Sequence, residues 1–102
     1  MEKKEYKWAE YWLMYPGDDV NCKSDEEKHE NGMGIRDDVE INFSLPMDVK
    51  ADVEALYECY EIGAWYVWDN IVSALDVDSK VAIEQGKLSW SQCRMLLKKF
   101  CA

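Results

Sequence analysis

The chain has 102 residues, close to the commonest size of a single domain, and we expect one domain spanning 1–102. It carries 21 acidic and 12 basic side chains, which gives a formal net charge of −9. This balance disfavours direct binding to nucleic acid and to anionic membranes, because both select basic surfaces.

Two segments of the N-terminal half are predicted to pair as strands. Residues 6–15, YKWAEYWLMY, have apolar side chains at both the strand and the helix period, so periodicity alone leaves the choice open. Residues 39–45, VEINFSL, alternate apolar and polar side chains, which is typical of a strand with one buried face. A strand needs a partner, so we predict that 6–15 and 39–45 form an antiparallel hairpin or small sheet. The acidic loop between them, about 17–38, contains the hairpin-type turn signal Asn31-Gly32.

The longest predicted element is a helix over about 48–75, with Asp48 as its N-cap and apolar residues at steps of three and four. A continuous helix of this length would span roughly 42 Å at 1.5 Å per residue. That is long for a domain of this size. The helix therefore either projects from the domain or bends near Gly63, since glycine destabilises a helix interior by about 1 kcal/mol.

The C-terminal region is predicted to form a helical pair. A turn at 76–79 precedes a short helix over about 79–85, which ends at Gly86. The last helix begins with a capping box formed by Ser89 and Gln92. The predicted fold class is thus α+β: a small antiparallel sheet or hairpin packed on a long central helix and a C-terminal helical pair.

No motif points to catalysis, a cofactor or a metal. His29 is the one histidine, and nucleophile, zinc-protease and phosphate-loop signatures do not occur. The four cysteines form no CxxC pair, and the charged N-terminus does not look like a secretory signal, so we expect reduced thiols in a cytoplasmic protein. The acidic loop echoes a calcium loop, but Lys23 and Ser24 occupy positions that need an oxygen ligand and a glycine. We therefore expect a protein that is not an enzyme and holds no metal.

The long helix suggests a binding surface. If the helix is continuous, several acids share one face with Trp65, and Ile62 and Tyr66 flank that face. Aromatic residues surrounded by charge are typical of interfaces. The alternatives are a solvated face, or a face that the N-terminal segment covers. The predicted partner-binding residues are Glu54, Glu58, Glu61, Ile62, Trp65, Tyr66 and Asp69. A secondary acidic set lies in the loop: Asp18, Asp19, Asp25, Glu26, Glu27 and Glu30.

The composition resembles that of the small, acidic, single-domain inhibitors that phages and mobile elements make against host defence nucleases, anti-CRISPR proteins among them. The resemblance implies a non-enzymatic protein, in the host-cell cytoplasm, that occludes a basic and nucleic-acid-binding surface on a partner. A partial DNA mimic is one form of this hypothesis, although the helix offers one acid per roughly 7 Å and duplex DNA one charge per about 1.7 Å. The alternatives are a homodimer that buries Ile62, Trp65 and Tyr66, and a module that binds a small ligand. A nucleic-acid reader built on 79–101 is disfavoured by the net charge.

Overall fold

The computed structural model describes residues 5–100, which form four helices joined by irregular segments. The helices are α1 (Asp25–Glu30), α2 (Met47–Ile62), α3 (Trp65–Glu84) and α4 (Trp90–Lys99). Helix α3 packs against both α2 and α4, which places it at the centre of the fold. The shared core is built from large apolar side chains: Leu56, Trp68, Ile71, Leu75, Leu96 and Phe100.

The predicted α+β class is wrong, because residues 5–100 contain no strand. The segment predicted as the first strand forms a turn: the amide of Trp12 donates to Trp8 O (3.0 Å) and the amide of Met14 to Ala9 O (2.7 Å). These local bonds engage backbone groups that a strand would offer to its neighbour. Residues 6–15 therefore form neither the predicted strand nor a regular helix.

The second predicted strand, residues 39–45, is an irregular segment without a β partner. Its alternation does describe burial: the apolar side chains are buried or half-buried, and Glu40 and Ser44 are exposed. The buried Lys99 holds the start of the segment, since its Nζ donates to Arg36 O (3.0 Å) and Val39 O (2.7 Å). The apolar face thus packs on helices instead of belonging to a sheet.

The predicted 48–75 helix is two helices that meet at Gly63. Gly63 ends α2 in the left-handed conformation (φ 84°), and its carbonyl accepts a 2.9 Å hydrogen bond from the amide of Cys22. The expected bend is thus a complete break. The predicted N-cap is also wrong, because α2 begins one residue before Asp48 and has Pro46 as its N-cap, without a side-chain cap bond.

Helix α3 continues through the predicted turn at 76–79. Asp76 and Lys80, four residues apart, form an ion pair of 3.2 Å, and Ser79 is buried inside the helix. Gly86 has a positive φ (74°) and follows the end of α3, as predicted. The capping box of Ser89 and Gln92 at the start of α4 is confirmed.

The acidic loop contains the short helix α1, which sequence analysis did not predict. Ser24 caps it by accepting a hydrogen bond from the amide of Glu27 (3.1 Å). Asn31 and Gly32 end α1 and do not connect two strands. Lys28 lies with its Nζ 4.5 Å from the centre of the Tyr60 ring, and this contact docks α1 on α2.

Candidate functional site

The predicted partner-binding surface is divided between two helices. Glu54, Glu58 and Glu61 lie on α2, whereas Trp65, Tyr66 and Asp69 lie on α3. A helical wheel assumes one uninterrupted helix, and the break at Gly63 removes that assumption. The N-terminal segment, defined here as residues 5–22, contacts residues of both helices, so the alternative of a covered face describes much of this surface.

Two of the three α2 acids hold the N-terminal segment in place. The Glu58 carboxylate accepts hydrogen bonds from the backbone amides of Lys7 (2.6 Å) and Trp8 (2.5 Å). The Lys7 side chain pairs with Glu54, with Nζ and Oε1 3.6 Å apart. Glu61 is exposed on the last turn of α2. Glu54 and Glu58 therefore have structural contacts, and a variant of Glu58 would not report on partner binding alone.

The aromatic residues of the predicted surface also contact the N-terminal segment. Trp65 Nε1 donates to Val20 O (2.8 Å), although 41% of the residue remains exposed. The Tyr66 hydroxyl accepts a 2.9 Å hydrogen bond from the amide of Tyr15, and the two rings stack. The pKa of Tyr66 is raised, mainly by burial. Ile62 is only 8% exposed, which argues against the homodimer that would bury it.

The secondary acidic set is the more open surface. Helix α1 has no buried residue, and its four acids are exposed: Asp25, Glu26, Glu27 and Glu30. Three acids of the set have contacts: Asp18 accepts from the amide of Val20, Asp25 pairs with Lys28, and Glu27 accepts from the amide of Lys23. Within residues 5–100, Asp19, Glu26 and Glu30 have neither a hydrogen bond nor an ion pair through their carboxylates.

Sequence analysis missed a cavity between the N-terminal segment and the helix pair α2–α3. The cavity has a volume of about 310 Å³. Three aromatic residues of the N-terminal segment and three aspartates of the helices line it together with two small alanines: Trp8, Tyr11, Trp12, Asp48, Asp52, Asp78, Ala51 and Ala74. The sequence contains one signal of this cavity, an aspartate on the apolar face of α2. Asp52 lies three residues after Val49 and four before Leu56, both of which are buried.

Asp52 is the most perturbed acid of this cavity. It is 7% exposed, and its Oδ2 has no hydrogen-bond partner in the described part of the chain. Burial raises the pKa of Asp52 to about 8, and a hydrogen bond with the Asp78 carboxyl and the charges of Asp78 and Asp48 add to the effect. Below about pH 8 Asp52 therefore retains its proton.

The remaining observations concern membrane spans, metal ligands, cysteines and similarity to known proteins. No helix among the described residues is long and apolar enough to cross a membrane. No three histidine, cysteine or carboxylate side chains in residues 5–100 are grouped so that they could hold a metal ion. The described cysteines, Cys22, Cys59 and Cys93, are free and buried. The chain matches no family model, and no curated protein or solved structure is detectably similar to it.

Proposed function

We propose that this protein is a non-enzymatic acidic binding protein that occludes a basic, nucleic-acid-binding surface on a partner protein. The observation that carries the proposal is the exposed acidic surface of α1, in which Glu26 and Glu30 have no internal partner within residues 5–100. A net charge of −9 would strengthen the attraction at long range. The composition resembles that of phage-type inhibitors of host defence, anti-CRISPR proteins among them, and this resemblance is the basis for proposing that class.

The proposal places the contact at α1 and not at the α2 acids. Glu58 and Glu54 already bind the N-terminal segment, so using them for a partner would require breaking contacts within the chain. The acids of α1 require no such rearrangement. Asp69, which is exposed on α3, and the half-exposed Trp65 can extend the surface. A partial mimic of DNA is one form of the proposal, because a surface that binds phosphates is basic and would also attract exposed carboxylates.

The test is to identify the partner and then change its affinity through α1. The protein is immobilised, proteins of the native host lysate are captured and identified, and the purified partner is titrated against four versions of the chain. The versions are the wild type, Glu26→Gln with Glu30→Gln, Glu40→Gln with Glu84→Gln, and Glu58→Gln. Each of the two double variants removes two exposed acids and changes the net charge from −9 to −7, so the two differ only in the position of the acids removed.

The expected partner has a basic nucleic-acid-binding surface, and nucleic acid competes with this protein for it. We expect the α1 double variant to bind roughly two- to thirtyfold more weakly, since each exposed ion pair contributes about 0.2–1 kcal/mol. Added salt should weaken the wild-type complex more than the complex of the α1 variant. Equal losses in the two double variants would contradict a role for α1, and a partner without a basic surface would contradict the proposal itself.

A further inference from the structure

The cavity between the N-terminal segment and the helix pair combines aromatic rings with carboxylates. The three rings meet edge to face: Trp8 and Tyr11 have centroids 6.0 Å apart at 82°, and Tyr11 and Trp12 have centroids 5.4 Å apart at 78°. Rings set at right angles around a space present π-faces from several directions. This is the arrangement of aromatic cages that bind organic cations.

The carboxylates of the cavity have no cation of their own. Asp48, Asp52 and Asp78 all line the cavity, and none of them forms an ion pair within residues 5–100. Lys7 Nζ lies 5.0 Å from the Trp8 ring centre, but its charge is paired with Glu54 and it does not line the cavity. The cavity therefore has an excess of negative charge that a bound cation would neutralise.

A buried acceptor adds a second and independent observation. Asp52 is more than nine-tenths buried, and its Oδ2 has no hydrogen-bond donor in the described residues. An unsatisfied buried acceptor costs about 1–3 kcal/mol, so such groups are rare unless something supplies the donor. A cationic ligand with N–H donors would satisfy this oxygen and would favour the ionised carboxylate, so that the proton which Asp52 retains below about pH 8 is released on binding.

We propose that this cavity is a binding site for an organic cation, a guanidinium or alkylammonium group, held between the Trp8, Tyr11 and Trp12 rings and the Asp48, Asp52 and Asp78 carboxylates. The volume of about 310 Å³ is at the small end of ligand pockets, which suits such a head group with its stem. A metal ion is disfavoured because the three carboxylates do not converge as a metal site requires. A planar guanidinium can stack on a ring and donate to a carboxylate at the same time.

This site is separate from α1, so it can be tested independently of the proposed function. The cation can come from a free polyamine or from an arginine or lysine side chain of another protein. The full chain is titrated with four probes, followed by the indole N–H resonances of Trp8 and Trp12. The probes are spermidine, the capped peptides Gly-Gly-Arg-Gly-Gly and Gly-Gly-Lys-Gly-Gly, and the arginine peptide with citrulline in place of arginine. Citrulline keeps the shape of arginine and removes its charge.

The variants separate the site from general electrostatics. Asp52→Asn removes a cavity carboxylate, and Glu84→Gln removes one exposed negative charge from the end of α3, outside the cavity. Tyr11→Ala removes one wall, and because Tyr11 is 73% exposed the variant should still fold. We expect saturable binding of at least one cationic probe, weakened at least about tenfold by Asp52→Asn and by Tyr11→Ala and unchanged by Glu84→Gln.

Preference for spermidine would assign the site to a free polyamine, and preference for a peptide would assign it to a protein side chain; both support the cation site. Failure of every cationic probe to shift the indole resonances would overturn it. Equal binding of the citrulline and arginine peptides, or equal effects of Asp52→Asn and Glu84→Gln, would also overturn it. None of these results changes the outcome of the α1 experiment.

Discussion

Gly63 allows α2 to end directly against the backbone of Cys22, and Gly63→Ala tests how much of the fold depends on that close approach. A Cβ atom at Gly63 would overlap the carbonyl oxygen of Cys22 and lie 2.9 Å from its nitrogen and 3.0 Å from its carbonyl carbon. Backbone atoms cannot move aside as a flexible side chain can. The chain at Cys22 would have to shift, and the 2.9 Å hydrogen bond from its amide to Gly63 O would break.

Gly86 provides a matched control. It has a similar positive φ, 74° against 84° for Gly63, but no atom lies within 4 Å of the position its Cβ would take. Both alanine variants lose about 1 kcal/mol because L-residues disfavour the left-handed conformation. Only Gly63→Ala also loses a buried hydrogen bond, which adds about 1–3 kcal/mol, and the steric displacement adds to that. We expect about 1 kcal/mol for Gly86→Ala and about 3–4 kcal/mol for Gly63→Ala.

The assay is thermal unfolding of both variants, followed by far-ultraviolet circular dichroism. A domain of this size loses about 5 °C in Tm per kcal/mol, so we expect losses of about 5 °C for Gly86→Ala and about 15–20 °C for Gly63→Ala. Losses of the same size in both variants would refute the reasoning, because they would mean that the positive φ alone determines the cost. The N-terminal segment would then not be packed against the α2–α3 junction as described.

Three further predictions concern Asp52, the pair Glu58 and Glu54, and the thiol of Cys59. The pKa of Asp52 is about 8 in the fold against 3.8 for an ordinary aspartate, so the native state holds an extra proton between these two pH values and stability falls as the pH rises through that window. The full shift would correspond to about 6 kcal/mol, which we reduce to ~2–3 kcal/mol for screening by water. Urea denaturation should therefore show that the stability of Asp52→Asn relative to wild type is ~2–3 kcal/mol greater at pH 9 than at pH 5. The same difference between variant and wild type at both pH values would contradict this prediction. Glu58→Gln should lower the free energy of unfolding by about 1–3 kcal/mol and speed amide hydrogen exchange in the N-terminal segment, because it weakens two hydrogen bonds to backbone amides. Glu54→Gln breaks an exposed ion pair and should lower the free energy of unfolding by at most about 1 kcal/mol. Burial raises the pKa of Cys59 to about 12, so its thiol should resist iodoacetamide at pH 8 until the protein is unfolded, and mass spectrometry of the labelled peptide checks this.

Sequence analysis succeeded where the signal is local. The capping box of Ser89 and Gln92 and the glycine after α3 each involve neighbouring residues, and the structure contains both. The alternation in 39–45 correctly indicated which side chains are buried. It did not indicate a strand, since a strand requires a hydrogen-bonded partner and the turn formed by Trp8–Met14 does not provide one.

The candidate site was harder to predict because it depends on contacts between distant residues. The helical wheel placed Trp65 on the acidic face and Tyr66 beside it, but nothing in the spacing shows that Tyr66 packs against the core or that Val20 and Tyr15 contact these two residues. The cavity is invisible for the same reason. Its aromatic wall comes from residues 8–12 and its carboxylates from two helices that begin about forty and sixty residues later.

The structure divides the acidic side chains by what they already contact, and this division decides which of them are available for binding. Glu58 holds the N-terminal segment through two backbone amides. Asp52 is buried in a cavity whose carboxylates repel one another. Glu26 and Glu30 are exposed on a helix with no buried residue. Of these four acids, Glu26 and Glu30 can meet a large basic surface without any rearrangement, whereas the buried Asp52 can accept only a group small enough to enter the cavity. The net charge of −9 therefore combines acids in two different environments, and the two proposed binding chemistries can be tested by substitutions at separate positions.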